Sequence, residues 1–303
     1  SGLEDLSISR TSFNWGIKVP GNEEHVVYVW LDALFNYISI INNSNNKNFW
    51  PANLHIVGKD ILRFHAVYWP AFLMAADIEL PKKIFAHGWW TIDGKKMSKS
   101  IGNVVDPFTL VKKYNSDLVR YFLLREIPFG QDGNYSEELL NKRVNSELAN
   151  GYGNLVQRVL SMVFKYFQGH VPKLEKINEK DILLLSMPTK SLLKIRNLME
   201  KLEFNSAIEE ILIIIRAANL YVDNSEPWTL AKKDVDRLST VLSLLVNVIY
   251  KINILLQPFI PTASKMVFDQ LYQQKELNFE YIDNKLNIEK PLNKPYIIFP
   301  RII

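Results

Sequence analysis

The sequence contains no cysteine. That absence excludes disulfides and any thiolate-held zinc site within these 303 residues. Long apolar runs are missing too. No window reaches eighteen apolar residues without a charge, which argues against a membrane span. Residues 1–10 lack the basic-then-apolar pattern of a secretory signal, so the chain is read as cytoplasmic. There is no internal repeat and no strong excess of one charge. The net charge of +4 permits nucleic-acid binding through a local patch but does not by itself argue for it.

What is present is a globular composition, 48% hydrophobic and 22% charged, over a length that suits one large or two ordinary domains. The first hundred residues alternate short apolar runs with helical patterns. His25–Trp30, Leu54–Val57 and Lys83–Ala86 read as strands, with helices at 31–41 and 60–76 between them. That order predicts a parallel α/β sheet with its ligand site at the carboxyl ends of the strands. Asn42–Asn48 is a low-complexity surface insert. From about residue 137 the pattern changes. Glu137–Phe167, Leu183–Lys201, Ser206–Val222 and Val235–Leu256 carry apolar residues at helical spacing and predict an all-helical bundle. Ser206 and Asp234 read as N-caps, and Pro258 and Pro261 stop the last long helix. Pro295–Pro300 is an extended apolar tail expected to lie back across another surface.

The most informative stretch is Lys96-Met97-Ser98-Lys99-Ser100, preceded by Gly94-Lys95 and followed by Ile101-Gly102-Asn103. Such a loop can carry ammonium groups onto a polyphosphate. An isolated lysine-rich turn is more often merely solvated, and the spacing does not fit a Walker A loop. The five residues match the KMSKS signature of class I aminoacyl-tRNA synthetases letter for letter, and the chain resembles that family. The resemblance implies that Lys96 and Lys99 stabilise the pyrophosphate leaving group while Lys96, Met97, Ser98, Lys99 and Ser100 bind ATP.

Two helix faces narrow the resemblance. Trp30, Ala33, Leu34 and Tyr37 follow one strand at i, i+3, i+4, i+7, and Ile61, His65 and Trp69 follow another at i, i+4, i+8. Either could be an ordinary core stripe. Together they offer an aromatic pocket with one histidine, which suits an unbranched thioether. Tyr28–Leu34 and Gly58–His65 are similar to the two pocket segments of methionyl-tRNA synthetases, although some members have proline where Leu34 stands. Carried over by position, Trp30, Ala33, Leu34, Tyr37, Ile61, His65 and Trp69 would bind methionine, and Gly58 and Asp60 would meet the ATP ribose.

In the helical half, Val144, Leu148, Tyr152, Leu155, Val159 and Tyr166 make an apolar face. Asn150, Asn154, Arg158, Ser161 and Lys165 make a polar stripe beside it. A solvated face is the ordinary reading of such a stripe, and a core plug that of Trp228 after Pro227. In the family, residues matching Asn154, Arg158 and Trp228 bind the CAU anticodon.

The resemblance therefore implies a fold of class α/β, the second half of a Rossmann-like catalytic domain, followed by an all-α anticodon-binding bundle. The parts would be residues 1–100 ending in the KMSKS loop, a connecting stem-contact fold at 101–136, and the bundle at 137–303. The implied function is methionine-tRNA ligase, with methionine, ATP with Mg2+ and methionine tRNA as substrates, no bound metal in this chain and no membrane partner. Class I enzymes also need a HIGH-type signature, and none of His25, His55, His65, His87 or His170 stands in one. That signature and the family's zinc knuckle lie in an N-terminal half that this chain lacks. The missing half is thus an expected partner, and the piece alone is expected to be inactive. A class I synthetase for another amino acid and a non-catalytic tRNA-binding module derived from a synthetase are the rival readings.

Overall fold

The computed structural model describes residues 5–42, 47–98, 100, 102–271, 278–284, 286 and 290–302, without the side chains of Asn42 and Lys47. It divides into two compact units, Ser1–Trp89 and Trp90–Ile303. Most of the asparagine-rich insert (43–46) falls outside the described residues.

In the first unit, β1 (Ser9–Arg10), β2 (Lys18–Val19) and β3 (Asn22–Val27) form an antiparallel sheet in the order β1-β3-β2. Pro20 and Gly21 make the turn between β2 and β3, with Gly21 at φ 79°, a conformation glycine adopts without strain. Two expectations fail here. β3 does not join a parallel sheet, because both its edges are taken by these short neighbours. The strand also stops before Tyr28–Trp30. The Tyr28 carbonyl accepts from Leu31 N at 2.9 Å, so the chain turns there into α1 (Val29–Asn42).

The parallel pair is β4 (His55–Gly58) with β5 (Ile84–His87), in the register His55↔Ile84 to Gly58↔His87. The helical segment between them is not one α-helix. It runs as a 3-10 turn at Lys59–Ile61, a π turn at Phe64–Tyr68 and α2 at Trp69–Ala75, with Pro70 in its first turn. Leu34, Ile38, Trp69 and Leu73 are the buried centre of this unit.

The second unit opens with a hairpin. β6 (Trp90–Ile92) pairs antiparallel with β7 (Lys95–Lys96), and β8 (Gly133–Asn134) lies parallel to β6. The hairpin turn is Asp93-Gly94, both at positive φ (50° and 71°), the two-residue geometry whose twist matches that of strands. Between β7 and β8 come α3 (Pro107–Tyr114) and α4 (Ser116–Arg125). Asp106 caps α3, and Asn115, at φ 67°, ends α3 and caps α4.

The bundle follows: α5 (Glu137–Arg143), a π segment at Val144–Gly153 and α6 (Asn154–Phe167) run on continuously. Then come α7 (Glu179–Glu200), α8 (Phe204–Ser225), α9 (Pro227–Lys233), α10 (Val235–Leu256) and α11 (Pro261–Gln270). α10 is apolar on nearly every side and is the central helix, packed by α6, α7, α8, α9 and α11. By length and composition it could cross a membrane, but 83% of that stretch is buried in the bundle. Asp234 caps it by accepting from Arg237 N, as expected. Ser206 does not cap α8. Leu202, at φ 64°, ends α7 so abruptly that α8 already begins at Phe204, and Ser206 lies inside it. On the predicted apolar face Tyr166 is only partly buried, and Val163 takes the inward position.

The tail does lie back on the bundle. Asn145 Nδ2 donates to Ile302 O and Ile302 N donates to Asn145 Oδ1, both at 2.9 Å. Phe299 is buried so close to Gly153 that a Cβ there would meet its ring at 3.2 Å.

Candidate substrate pocket and anticodon face

The first unit gathers most of the predicted pocket residues into one aromatic cluster. α1 starts at Val29, so Trp30, Leu34 and Tyr37 project from one side of it. On the neighbouring segment His65 is 2% exposed and Trp69 0%. Trp30 stacks on Phe64 at 4.0 Å, and the Tyr37 ring lies 5.8 Å from His65 and 6.1 Å from Trp69. Leu34 is buried among these rings, Ile61 is half-buried and Ala33 is exposed.

One hydrogen-bond chain runs through the cluster. His65 Nδ1 lies 3.0 Å from Ile61 O, and a carbonyl can only accept, so Nδ1 carries a proton. In the neutral ring Nε2 is then an acceptor, and the Tyr37 hydroxyl 3.0 Å away donates to it. The Tyr37 oxygen keeps its lone pairs for another partner. His55 backs Tyr37 at 4.7 Å, and burial, then the nearby His65, lower its pKa. His55 Nε2 and Trp69 Nε1 are both buried without a protein partner. His55, Phe64 and Trp50, whose ring meets His55 and Trp69, escaped the sequence reading. Phe64 is adjacent to His65 and could have been found by position. His55 sits on a strand and Trp50 after the asparagine-rich insert, so no helical spacing points to them.

Gly58 and His87 end the parallel strands side by side, and Asp60 follows in the 3-10 turn. Gly58 has φ −66°, and a Cβ there would meet only Asp60 and His87, each at an ordinary 3.9 Å. The fold itself therefore does not require glycine at this position. Asp60 Oδ2 accepts from Trp89 Nε1 at 2.6 Å, and the Lys59 ammonium lies 4.0 Å above the Trp89 ring.

In the second unit, the lysine motif begins in β7, not in a loop, with Lys96 exposed opposite Thr91. Met97 is half-buried against the helical core. Asn103 clasps the loop: its Oδ1 accepts from Ser98 N at 2.9 Å and its Nδ2 donates to Lys96 O at 3.3 Å. Ser98 and Ser100 hydroxyls are 3.1 Å apart. Lys99 lies outside the described residues.

Asn154, Arg158 and Trp228 come together on the bundle. Asn154 is exposed at the start of α6, one turn before Arg158. The Arg158 guanidinium lies 6.0 Å from the centre of the Trp228 ring and donates to Asp223 Oδ1 at 2.8 Å. Trp228 is 45% exposed, which is not the burial of a core plug. Pro227 fixes the first position of α9 beneath it. Beside Arg158 is a cavity of about 380 Å³ between the π segment with α6 on one side and α8 on the other. Asn150, Asn154 and Arg158 line one wall, and Arg216, Asn219 and Asp223 line the other. The α8 wall was missed because those residues are polar positions on a separate helix. No group of metal-binding side chains occurs among the described residues.

Residues 1–160 match the model of a family described as tRNA synthetases class I (M), and residues 171–302 match the anticodon binding domain of methionyl tRNA ligase. A methionine--tRNA ligase of Rickettsia felis is 52% identical over 311 residues, covering 99% of this chain and 61% of that protein. The corresponding protein of Brucella suis is 47% identical, covering 100% of this chain and 60% of its own length. A solved Mycobacterium tuberculosis methionyl-tRNA synthetase in complex with methionyl-adenylate superposes with a TM-score of 0.94 at 45% identity. It is matched over 99% of this chain and 61% of that one. The chain thus spans about three fifths of the length of these relatives.

Proposed function

The chain belongs to the class I tRNA synthetases of the methionyl type, and from that premise we propose that the longer protein it represents is a methionine-tRNA ligase. It activates methionine with ATP and transfers the methionyl group to tRNA bearing a CAU anticodon. The observation that carries the reading is the Tyr37–His65 hydrogen bond enclosed by Trp30, Phe64 and Trp69. Such a cage favours a polarisable thioether, because sulfur–ring contacts are attractive and a single polar pair can distinguish sulfur from methylene. Ala33, Leu34 and Ile61 complete the apolar lining.

In this reading Gly58 lets the ATP ribose approach the backbone, and Asp60 accepts its hydroxyl protons. Lys96, Met97, Ser98, Lys99 and Ser100 meet the phosphates, and the two lysines offset charge that develops on departing pyrophosphate. Mg2+ would travel with ATP. The HIGH-type signature would come from the length of the relatives that this chain does not span. On the bundle, Asn154 and Arg158 offer planar hydrogen-bonding groups to an unpaired base, and Trp228 offers a ring for stacking. The proposed compartment is the cytoplasm.

Methionine-dependent pyrophosphate exchange by the full-length enzyme tests the pocket. His65→Ala should raise the KM for methionine on the order of tenfold or more, because the Tyr37 hydroxyl loses its acceptor, while the KM for ATP stays nearly constant. An unchanged KM for methionine would remove His65 from the pocket.

A further inference from the structure

The two walls of the cavity beside Arg158 are joined by a side chain that lies outside it. Arg125, at the end of α4, donates from Nε to Glu147 Oε2 at 3.2 Å and from Nη2 to Glu147 Oε1 at 3.1 Å. Glu147 is part of the π-segment wall. The same guanidinium bonds Glu209 and, through Nη1 at 3.4 Å, the carbonyl of Asn205. Both of these belong to α8, the opposite wall.

The surrounding groups hold this bridge in place. Tyr121 Oη donates to Glu147 Oε2 at 2.7 Å and Arg143 Nη1 to Glu147 Oε1 at 3.0 Å, so both carboxylate oxygens are fully engaged. Arg143 in turn bonds Glu126 at 2.9 Å, and Glu209 accepts from Arg216 at 2.5 Å. Arg216 returns the network to the cavity. Three arginines face three glutamates, and the Arg125 and Glu147 side chains are each only 14% exposed. A planar fork can hold two carboxylates at a set separation and angle, which a flexible ammonium cannot.

The geometry points to Arg125 as a positioning residue for base recognition: by bonding Glu147 and Glu209 at once it sets the spacing of the two helices between which Asn154 and Arg158 would meet a nucleobase. The inference rests on the anticodon reading of Asn154 and Arg158. It concerns a residue that touches neither the base nor the reacting atoms.

Aminoacylation kinetics of the full-length enzyme with CAU tRNA and with a tRNA altered at one anticodon base test this. Arg125→Lys keeps the charge and loses the fork. Glu209→Gln keeps Arg125 and weakens only the α8 side. Each should raise the KM for CAU tRNA on the order of tenfold and shrink the preference for CAU, the loss of about one charged hydrogen bond at the base. Methionine-dependent pyrophosphate exchange without tRNA should not change. A merely structural role would weaken both tRNAs alike, and that outcome overturns the proposal, as does an unchanged KM in both variants. If Arg125→Lys fails to fold, Glu209→Gln decides. Arg158→Ala is the control: if it leaves the CAU preference intact, the anticodon reading itself fails. If it abolishes the preference while the other two variants keep it, only the role of Arg125 falls.

Discussion

Asp181 is held on both of its carboxylate oxygens. It is fully buried, receives Arg237 Nη1 at 2.6 Å and Nη2 at 2.7 Å, accepts from Tyr221 Oη at 2.6 Å, and closes a capping box with Asn178. Burial raises its pKa, but the Arg237 and Tyr221 hydrogen bonds outweigh that and hold it at about 2. Because the folded value lies below the ordinary carboxylate range, Asp181 stabilises the fold fully above about pH 4. That contribution is lost as the pH falls toward 2. Asp181→Asn should destabilise the protein by about 3 kcal/mol or more at neutral pH, since it leaves a half-buried guanidinium without its charge partner. Urea unfolding at pH 7 and at pH 3 measures this, and the gap between variant and wild type should narrow at the lower pH. At this scale the sequence was readable where chemistry repeats at helical spacing. Trp30, Leu34 and Tyr37 gather in one cluster with His65 and Trp69, although residues 59–75 are not one α-helix and Ile61 meets His65 only through its carbonyl among the described contacts. His55 and Arg125 were not readable, because their partners lie on other elements: Tyr37 on α1 and Glu209 on α8.

Among the described elements, two stretches take π geometry, and both lie at candidate sites. Phe64–Tyr68 is a π turn that carries His65, and Val144–Gly153 is a π segment that ends against Asn154. Segments of this kind are uncommon and are often found at functional positions. A 3.6-residue period cannot reveal them, since they only delay the stripe by a residue. The same limit explains β3, where alternation identified a strand but could not say which neighbours would take its edges. The lysine hairpin was read as a loop, although Asp93-Gly94 is a two-residue turn signal of its own. The loop beyond that hairpin is held by Asn103. Asn103→Ala should free the Ser98 amide and speed its hydrogen exchange on the order of tenfold, with little change in the helices. Exchange at Ser98 equal to wild type would mean that the clasp does not hold the loop.

For the molecule as a whole, composition and pattern were enough to separate an α/β portion from a helical one, because the hydrophobic period changes near Glu137. They did not reveal that the compact division falls after Trp89, since the hairpin and the short sheet that open the second unit are too brief to carry a period. That second unit holds the lysine motif, the Arg125 network and the Asn154–Arg158–Trp228 face together. Its affinity for tRNA should fall with added salt, because phosphate contacts release counterions. The central claim is that this face reads an anticodon. Binding of the chain to CAU tRNA and to a tRNA altered in the anticodon, each with and without Trp228→Ala, tests it most directly. Wild type should prefer CAU, and Trp228→Ala should lose about tenfold in affinity for CAU tRNA, the worth of one stacked base, while scarcely changing the altered tRNA. Equal losses for both tRNAs, or no preference in the wild type, would contradict it.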